Sequence, residues 1–373
     1  MTPNSLKTAV RELLKNARSK RFKQQYLLFS VDDFGNVRNH SPESRASLTA
    51  QGLPPVNKFD RFDALETKED LHRLFDVLSK HKDDRGRSMV MTPYSVSANV
   101  DFERTLAARE YVAEPVNETF QRLALEQPAA YEGAWDLWKE GQQAGWVAPQ
   151  FHGKEHLNVA QINASLRAED AGLEAMLRAH SLVGWANGRS GKRRWSVAYS
   201  FDERSETEHF LENVRDGLDL FEKVYGYRAT AFTPPSQTFQ PSLLPGLGEM
   251  GLLGIDSPLY SKRADVDGKI HTSWAFNGFT DKKSGLRTLV RNAVFEPVQD
   301  KRAVQVALNQ VEWALKMGNV AHLSSHRLNF SGHIDPENGQ HGTGQLDVLL
   351  GEIKKRWPAI HFISVAEYLT LVS

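Results

Sequence analysis

YLLFSVDDFGN, residues 26–36, decides the fold: an apolar run from Tyr26 to Val31 stops abruptly at two adjacent carboxylates, Asp32 and Asp33. Such a run reads as a buried strand. Charge delivered at one strand end binds a metal or moves a proton. Successive strand residues point to opposite sides, so one carboxylate is free to hold a cation while the other serves as a base. The competing reading makes Asp32 and Asp33 the opening of a turn before Gly35 and Asn36, where Asp is common. The two readings part on whether further ligands arrive from elsewhere in the chain.

Other short β-like runs lie at 88–92, 146–151, 195–200, 229–232, 252–255, 320–324 and 360–363. Between them the apolar spacing turns helical. Leu71, Leu74, Val77 and Leu78 mark a helix over 70–80, and Phe210, Leu211, Val214, Leu218, Phe221 and Val224 mark one over 206–225. A third, over 302–317, carries Val304, Ala307, Leu308, Val311, Ala314 and Leu315, and Gly318 stops it. Ser364 and Glu367 open the last helix as a capping box. Strand and helix alternate throughout, which predicts an α/β fold with a parallel sheet, open or closed into a barrel, and function at the C-terminal strand ends. No linker divides the chain, so residues 1–373 are read as one barrel domain. Residues 1–25 form a basic amphipathic helix pattern, and 101–145, rich in Glu, Ala and Gln, a helical insertion near the mouth.

The chain of 373 residues is 40% hydrophobic, enough to bury a large core. Lys plus Arg and Asp plus Glu number 46 each, so no overall field favours nucleic acid or an anionic membrane. Partners are therefore expected among neutral small molecules and glycans. The absence of Cys removes disulfides, thiolate nucleophiles and sulfur ligands, leaving His and carboxylates as metal ligands. No apolar run in the first 25 residues is long enough for a signal peptide or a membrane span, which points to the cytoplasm.

Two histidine clusters supply candidate ligands. HGKEH, residues 152–156, follows the β-like WVAPQF, and a helix turn there aims His152 and His156 at one point. The same letters fit the HxxEH pattern of inverted-zincin peptidases, with Glu155 as base. That motif needs a continuous helix, which Pro149 and Gly153 oppose, and it leaves the aspartates unused. In VAHLSSHRLNF, His326 ends another apolar strand, whereas His322 lies inside it as a buried structural histidine.

The aspartate pair, HGKEH, the Pro-rich AFTPPSQTF at 231–239 and the late His326 come in the order that resembles NodB-type polysaccharide deacetylases. DDFG is also similar to the wording of the related YdjC-type deacetylases, and the ending HFISVAEYL to the NodB family's last strand and helix. The resemblance implies a distorted (β/α) barrel of about seven parallel strands with helical insertions. It implies Asp32 as catalytic base, Asp33, His152 and His156 as ligands of a divalent metal with Zn2+ the expected ion, and His326 as general acid. Arg291, Arg327, Asn329 and Pro234 become substrate contacts. The activity implied is removal of acetyl groups from an N- or O-acetylated saccharide. Alternatives are a glycoside hydrolase of the same superfamily, using Asp32 or Asp256, and a non-catalytic glycan-binding relative. The chain departs from the family at Thr233, where an arginine usually orients the base; Arg291 or Arg327 is the expected substitute. The family's aspartate and tryptophan motif is reduced to Asp256. Phe34, Tyr94, Trp274 and Phe330 are either sugar-stacking rings or core.

Overall fold

The computed structural model describes residues 12–183 and 195–373. Nine parallel strands form its main sheet: β1 (Tyr26–Phe34), β2 (Met91–Ser95), β3 (Gln150–Phe151), β4 (Ala231–Phe232), β5 (Gly254–Asp256), β6 (Arg287–Leu289), β7 (Ala293–Val294), β8 (Ala321–His326) and β9 (His361–Ile363). Their order is β6-β5-β4-β3-β2-β1-β8-β7, with β9 paired to the first residues of β1. The two edge strands are successive pieces of one segment. Arg287–Leu289 pairs with β5 and Ala293–Val294 with β8, so residues 290–292 cross the seam and curl the sheet into a distorted barrel.

The strand alternation sorts side chains by face. Leu27, Phe29 and Val31 pack outward in a large core, with Leu71, Leu74 and Leu78 of the helix Lys68–Lys80 and Ala307, Leu308 and Val311 of the helix Ala303–Lys316. Leu28 belongs to a separate interior cluster with Tyr94, Ala231, Leu289 and Ile363, plugged by Val365, Tyr368 and Leu369 of the helix Val365–Leu371. Ser30 is hydrogen-bonded to His322 of β8 at 2.9 Å, so both face inward above that plug, and His322 is fully buried, as its place inside the strand predicts. Asp32 continues the inward row.

The expected helices are present, down to the reciprocal Ser364 and Glu367 cap. One expected strand is not: residues 195–200 form turns. Asn158 is the reason, because its side-chain amide takes the carbonyls of Val197, Ala198 and Ser200 that a neighbouring strand would otherwise need. The region 101–145 contains the helices Phe102–Ala108, Val116–Glu126, Pro128–Tyr131 and Ala134–Gln143. Of the basic N-terminal stretch, residues 1–11 lie outside the described residues. Residues 12–16 are helical, and Asn16 is tied to Asn292 and Asn319. No helix among the described residues is long and apolar enough to cross a membrane.

Candidate metal centre and active site

Asp32 and Asp33 do not follow simple alternation. Val31 pairs with Pro93 and Phe34 with Ser95, so two residues of β1 stand opposite Tyr94 alone. This is a β-bulge, and Asp33 occupies its left-handed position at φ 75°. Without it Asp33 would face the outer core. With it, both carboxylates reach the same mouth. A non-glycine residue there costs on the order of 1–2 kcal/mol, and the following turn is held firmly. Gly35 N–H donates to Glu66, the Asn36 carbonyl accepts from Arg327 at 2.7 Å, and Val37 N–H donates to Asn99 at 2.8 Å.

His152 leaves the end of β3, its N–H bound to the Ser95 carbonyl at 2.9 Å. Its Nδ1 donates to the Thr233 carbonyl at 2.7 Å, which leaves the Nε2 lone pair directed at Asp33 Oδ1, 3.3 Å away. His156 Nε2 lies at 3.3 Å from the same oxygen. The two imidazoles meet through a loop in which Gly153 has φ 100°, not through the helix turn expected from their spacing. No peptidase helix forms, and Glu155 is bound to Asn213 at 2.8 Å. Against burial, the histidines hold the Asp33 carboxyl well below its ordinary range.

The donor set fits a divalent metal on internal grounds. A carboxylate oxygen and an unprotonated imidazole nitrogen are both acceptors, and they face each other at hydrogen-bond range with only a shared proton or a cation to reconcile them. His156 Nδ1 is buried with no hydrogen-bond partner among the described residues. One carboxylate and two imidazoles also leave coordination positions open, as catalytic zinc requires.

Asp32 meets a different set of partners. Arg291 grips both its oxygens, at 2.6 and 2.8 Å, and with Nε holds the fully buried Asp256 at 2.5 Å. Burial alone would raise the Asp32 carboxyl, but Arg291, His152 and His326 outweigh it and hold it below its ordinary value. Arg291 comes from the seam segment, and its Nη2 lies 3.5 Å from Thr233 Oγ1. It is therefore a partner of the base, with all three nitrogens engaged, where the resemblance also made it a substrate contact.

His326 ends β8 with Nε2 at 3.9 Å from Asp32 Oδ2 and Nδ1 at 2.5 Å from Glu296. Burial works against the imidazolium, yet Glu296, with Asp33 and Asp32, raises its pKa to about 9. His326 is thus protonated at neutral pH and remains about one-third exposed at the mouth. Glu296 was not singled out by sequence reading. The register gives the signal: Val294 lies opposite Ser324, so two residues further Glu296 lies opposite His326.

Other expected contacts are elsewhere. Arg327 is buried in ion pairs with Asp63 and Glu66, and Asn329 is buried against Glu296, Ser325 and the His326 carbonyl. Both serve the turn beneath the site, because a buried guanidinium or amide needs its hydrogen bonds satisfied by protein. Pro234 is buried next to Thr233. Phe34, Tyr94 and Phe330 are core, while Trp274 is 54% exposed on an antiparallel hairpin of Tyr260–Ala264 and Ile270–Trp274.

No protein-family model matches the chain, and no curated protein matches it. Solved structures do. The 4-alpha-glucanotransferase from Thermococcus litoralis is similar at 11% identity and TM-score 0.46, the match covering 94% of this chain and 40% of that one. The peptidoglycan deacetylase PdaC from Bacillus subtilis is similar at 12% identity and TM-score 0.38, covering 94% and 92%. A GH57 branching enzyme from Thermococcus kodakaraensis is similar at 12% identity and TM-score 0.45, covering 94% and 72%. This chain thus spans less than half the length of the glucanotransferase. Polysaccharide deacetylases and GH57 enzymes both stand among the structures to which this fold is similar.

Proposed function

We propose that the chain is a metal-dependent hydrolase that removes acetyl groups from an N- or O-acetylated saccharide. The observation that carries this reading is the convergence of two sets at one mouth. Asp33 Oδ1 stands 3.3 Å from both His152 Nε2 and His156 Nε2, while Asp32, gripped by Arg291, stands 3.9 Å from His326. Asp33, His152 and His156 hold the divalent ion, with Zn2+ the expected choice. When bound, the ion supplies Lewis acidity, polarising an acyl carbonyl and acidifying water.

The remaining steps belong to the chain. Asp32 stays ionised beside Arg291 and takes a proton from water as it attacks the acetyl carbon. Bidentate Arg291 fixes the carboxylate's orientation. His326, kept as imidazolium by Glu296, gives its proton to the departing amine or alkoxide. Base and acid therefore begin in opposite protonation states, as hydrolysis at neutral pH needs.

The rival readings have weaker support. Arg291 at Asp32 removes the missing-arginine argument for an inactive glycan binder. A glycoside hydrolase using Asp256 would need that carboxyl free, whereas it is fully buried between Arg291 and Gln237. Product analysis tests the choice on a panel of acetylated glycans. Free acetate with unchanged chain length supports deacetylation; new reducing ends support glycoside hydrolysis; binding without either product supports the inactive relative.

A further inference from the structure

Away from this mouth, three other segments converge. His40 lies in the loop after β1, Glu126 ends the helix Val116–Glu126, and His180 follows the helix Ala171–Arg178. One ligand atom from each can be chosen so that all lie within 4.8 Å of one another. His40 Nε2 is 3.6 Å from Glu126 Oε2, and the two imidazole rings meet edge to face with centroids 5.2 Å apart.

Gln127 Oε1 lies 3.0 Å from His333 Nε2, which orients the amide, and Gln127 Nε2 donates to the His40 carbonyl at 3.1 Å while lying 3.2 Å from His40 Nε2 and 3.5 Å from Nδ1. His40 Nε2 stands 3.6 Å from Glu126 Oε2, beyond hydrogen-bond range, so a cation is free to bridge the nitrogen and the carboxylate oxygen. Arg122 Nη1 contacts both oxygens of Glu126, each at 3.0 Å, and fixes the carboxylate; about four lone-pair sites per carboxylate leave others for an ion. His180 stacks flat on Phe102 with centroids 5.1 Å apart, and neither of its ring nitrogens has a hydrogen-bond partner among the described residues.

We propose that His40, Glu126 and His180 form a second site, for a borderline divalent ion such as Zn2+, that clamps the loop after β1 to the helical segment beside it. Two imidazoles and one carboxylate select zinc-like ions over Mg2+ or Ca2+, which prefer all-oxygen sites. The clamped loop carries Arg38, held between the rings of Phe59 and Trp195 at 5.4 Å from each. The inference stands independently of the deacetylase reading.

Zn2+ itself is the probe. The full chain is stripped with chelator, dialysed against Zn2+ and submitted to elemental analysis. Wild type should carry two ions, Asp33→Ala one, His40→Gln one, and Asp33→Ala with His40→Gln none. His180→Asn repeats the test if His40→Gln misfolds, because Asn tolerates the left-handed backbone His180 adopts at φ 49°. Zn2+ should also raise the melting temperature of Asp33→Ala but not of Asp33→Ala with His180→Asn. A single wild-type ion that Asp33→Ala removes overturns the second site and leaves the first standing. Two ions that persist in both His40→Gln and His180→Asn overturn it as well. Two ions retained in Asp33→Ala but one in His40→Gln sink the first site and uphold this one.

Discussion

Arg291 is the residue on which the proposed chemistry turns, because one guanidinium serves two buried carboxylates. Arg291→Ala leaves Asp256 and Asp32 without their cation, and removing one partner of a buried pair costs about 3–5 kcal/mol. Urea unfolding should show that loss, and acetate release should fall with it; an unchanged midpoint contradicts the bridging role. Asp32→Asn should lower kcat roughly 10²- to 10⁴-fold while metal content stays at the wild-type level. The pH profile belongs to His326. Its folded pKa of about 9 exceeds the ordinary 6.5, so the stabilisation from its charged pairing is fully present below 6.5 and is lost as pH rises through about 9. As the proposed general acid it should fail over the same upper range. Glu296→Gln should therefore move the alkaline limb of kcat/KM toward lower pH, and a limb that stays put removes Glu296 from the account. At this scale the convergence of Asp32, Asp33, His152 and His326 was readable because each sits at a strand end. The sequence offered Arg291 and Arg327 as alternative partners of Asp32 without choosing between them, and Arg327 also read as a substrate contact because nothing local announces Asp63 and Glu66.

Elements explain why the two aspartates work together. A regular strand would have sent Asp33 into the outer core, and only the bulge opposite Tyr94 turns it into the mouth. Glu66 supports that bulge by accepting from Gly35 N–H, from Trp138 Nε1 at 3.0 Å and from Arg327 at 2.8 Å. Glu66→Gln keeps the shape but halves the acceptors and removes the charge facing Arg327. It should cost about 1–3 kcal/mol and loosen metal binding, both measurable by urea titration with and without Zn2+. Stability and metal affinity equal to wild type would show that the turn needs no such support. Capped, strongly periodic helices were legible because their signals are local, as in the box of Ser364 and Glu367. The strand expected at 195–200 failed because Asn158, far off in sequence, supplies its hydrogen bonds. The hairpin at 260–274 went unread because Ile270–Trp274 is exposed along its whole length, so no buried face imprints an alternation.

The whole molecule brings the ends of β1, β3, β4, β5 and β8 to one rim, with the seam segment supplying Arg291 across the closure. Strand and helix order made the barrel legible. Its closure was not, since residues 290–292 look like the middle of one strand and are in fact the join between two. The central claim is that Asp33, His152 and His156 grip one ion next to Asp32. Anomalous scattering from crystals grown with Zn2+ tests it most directly. The account predicts a peak about 2.0–2.2 Å from an Asp33 carboxylate oxygen and from Nε2 of both histidines. A protein that releases acetate with no peak at that point would contradict it.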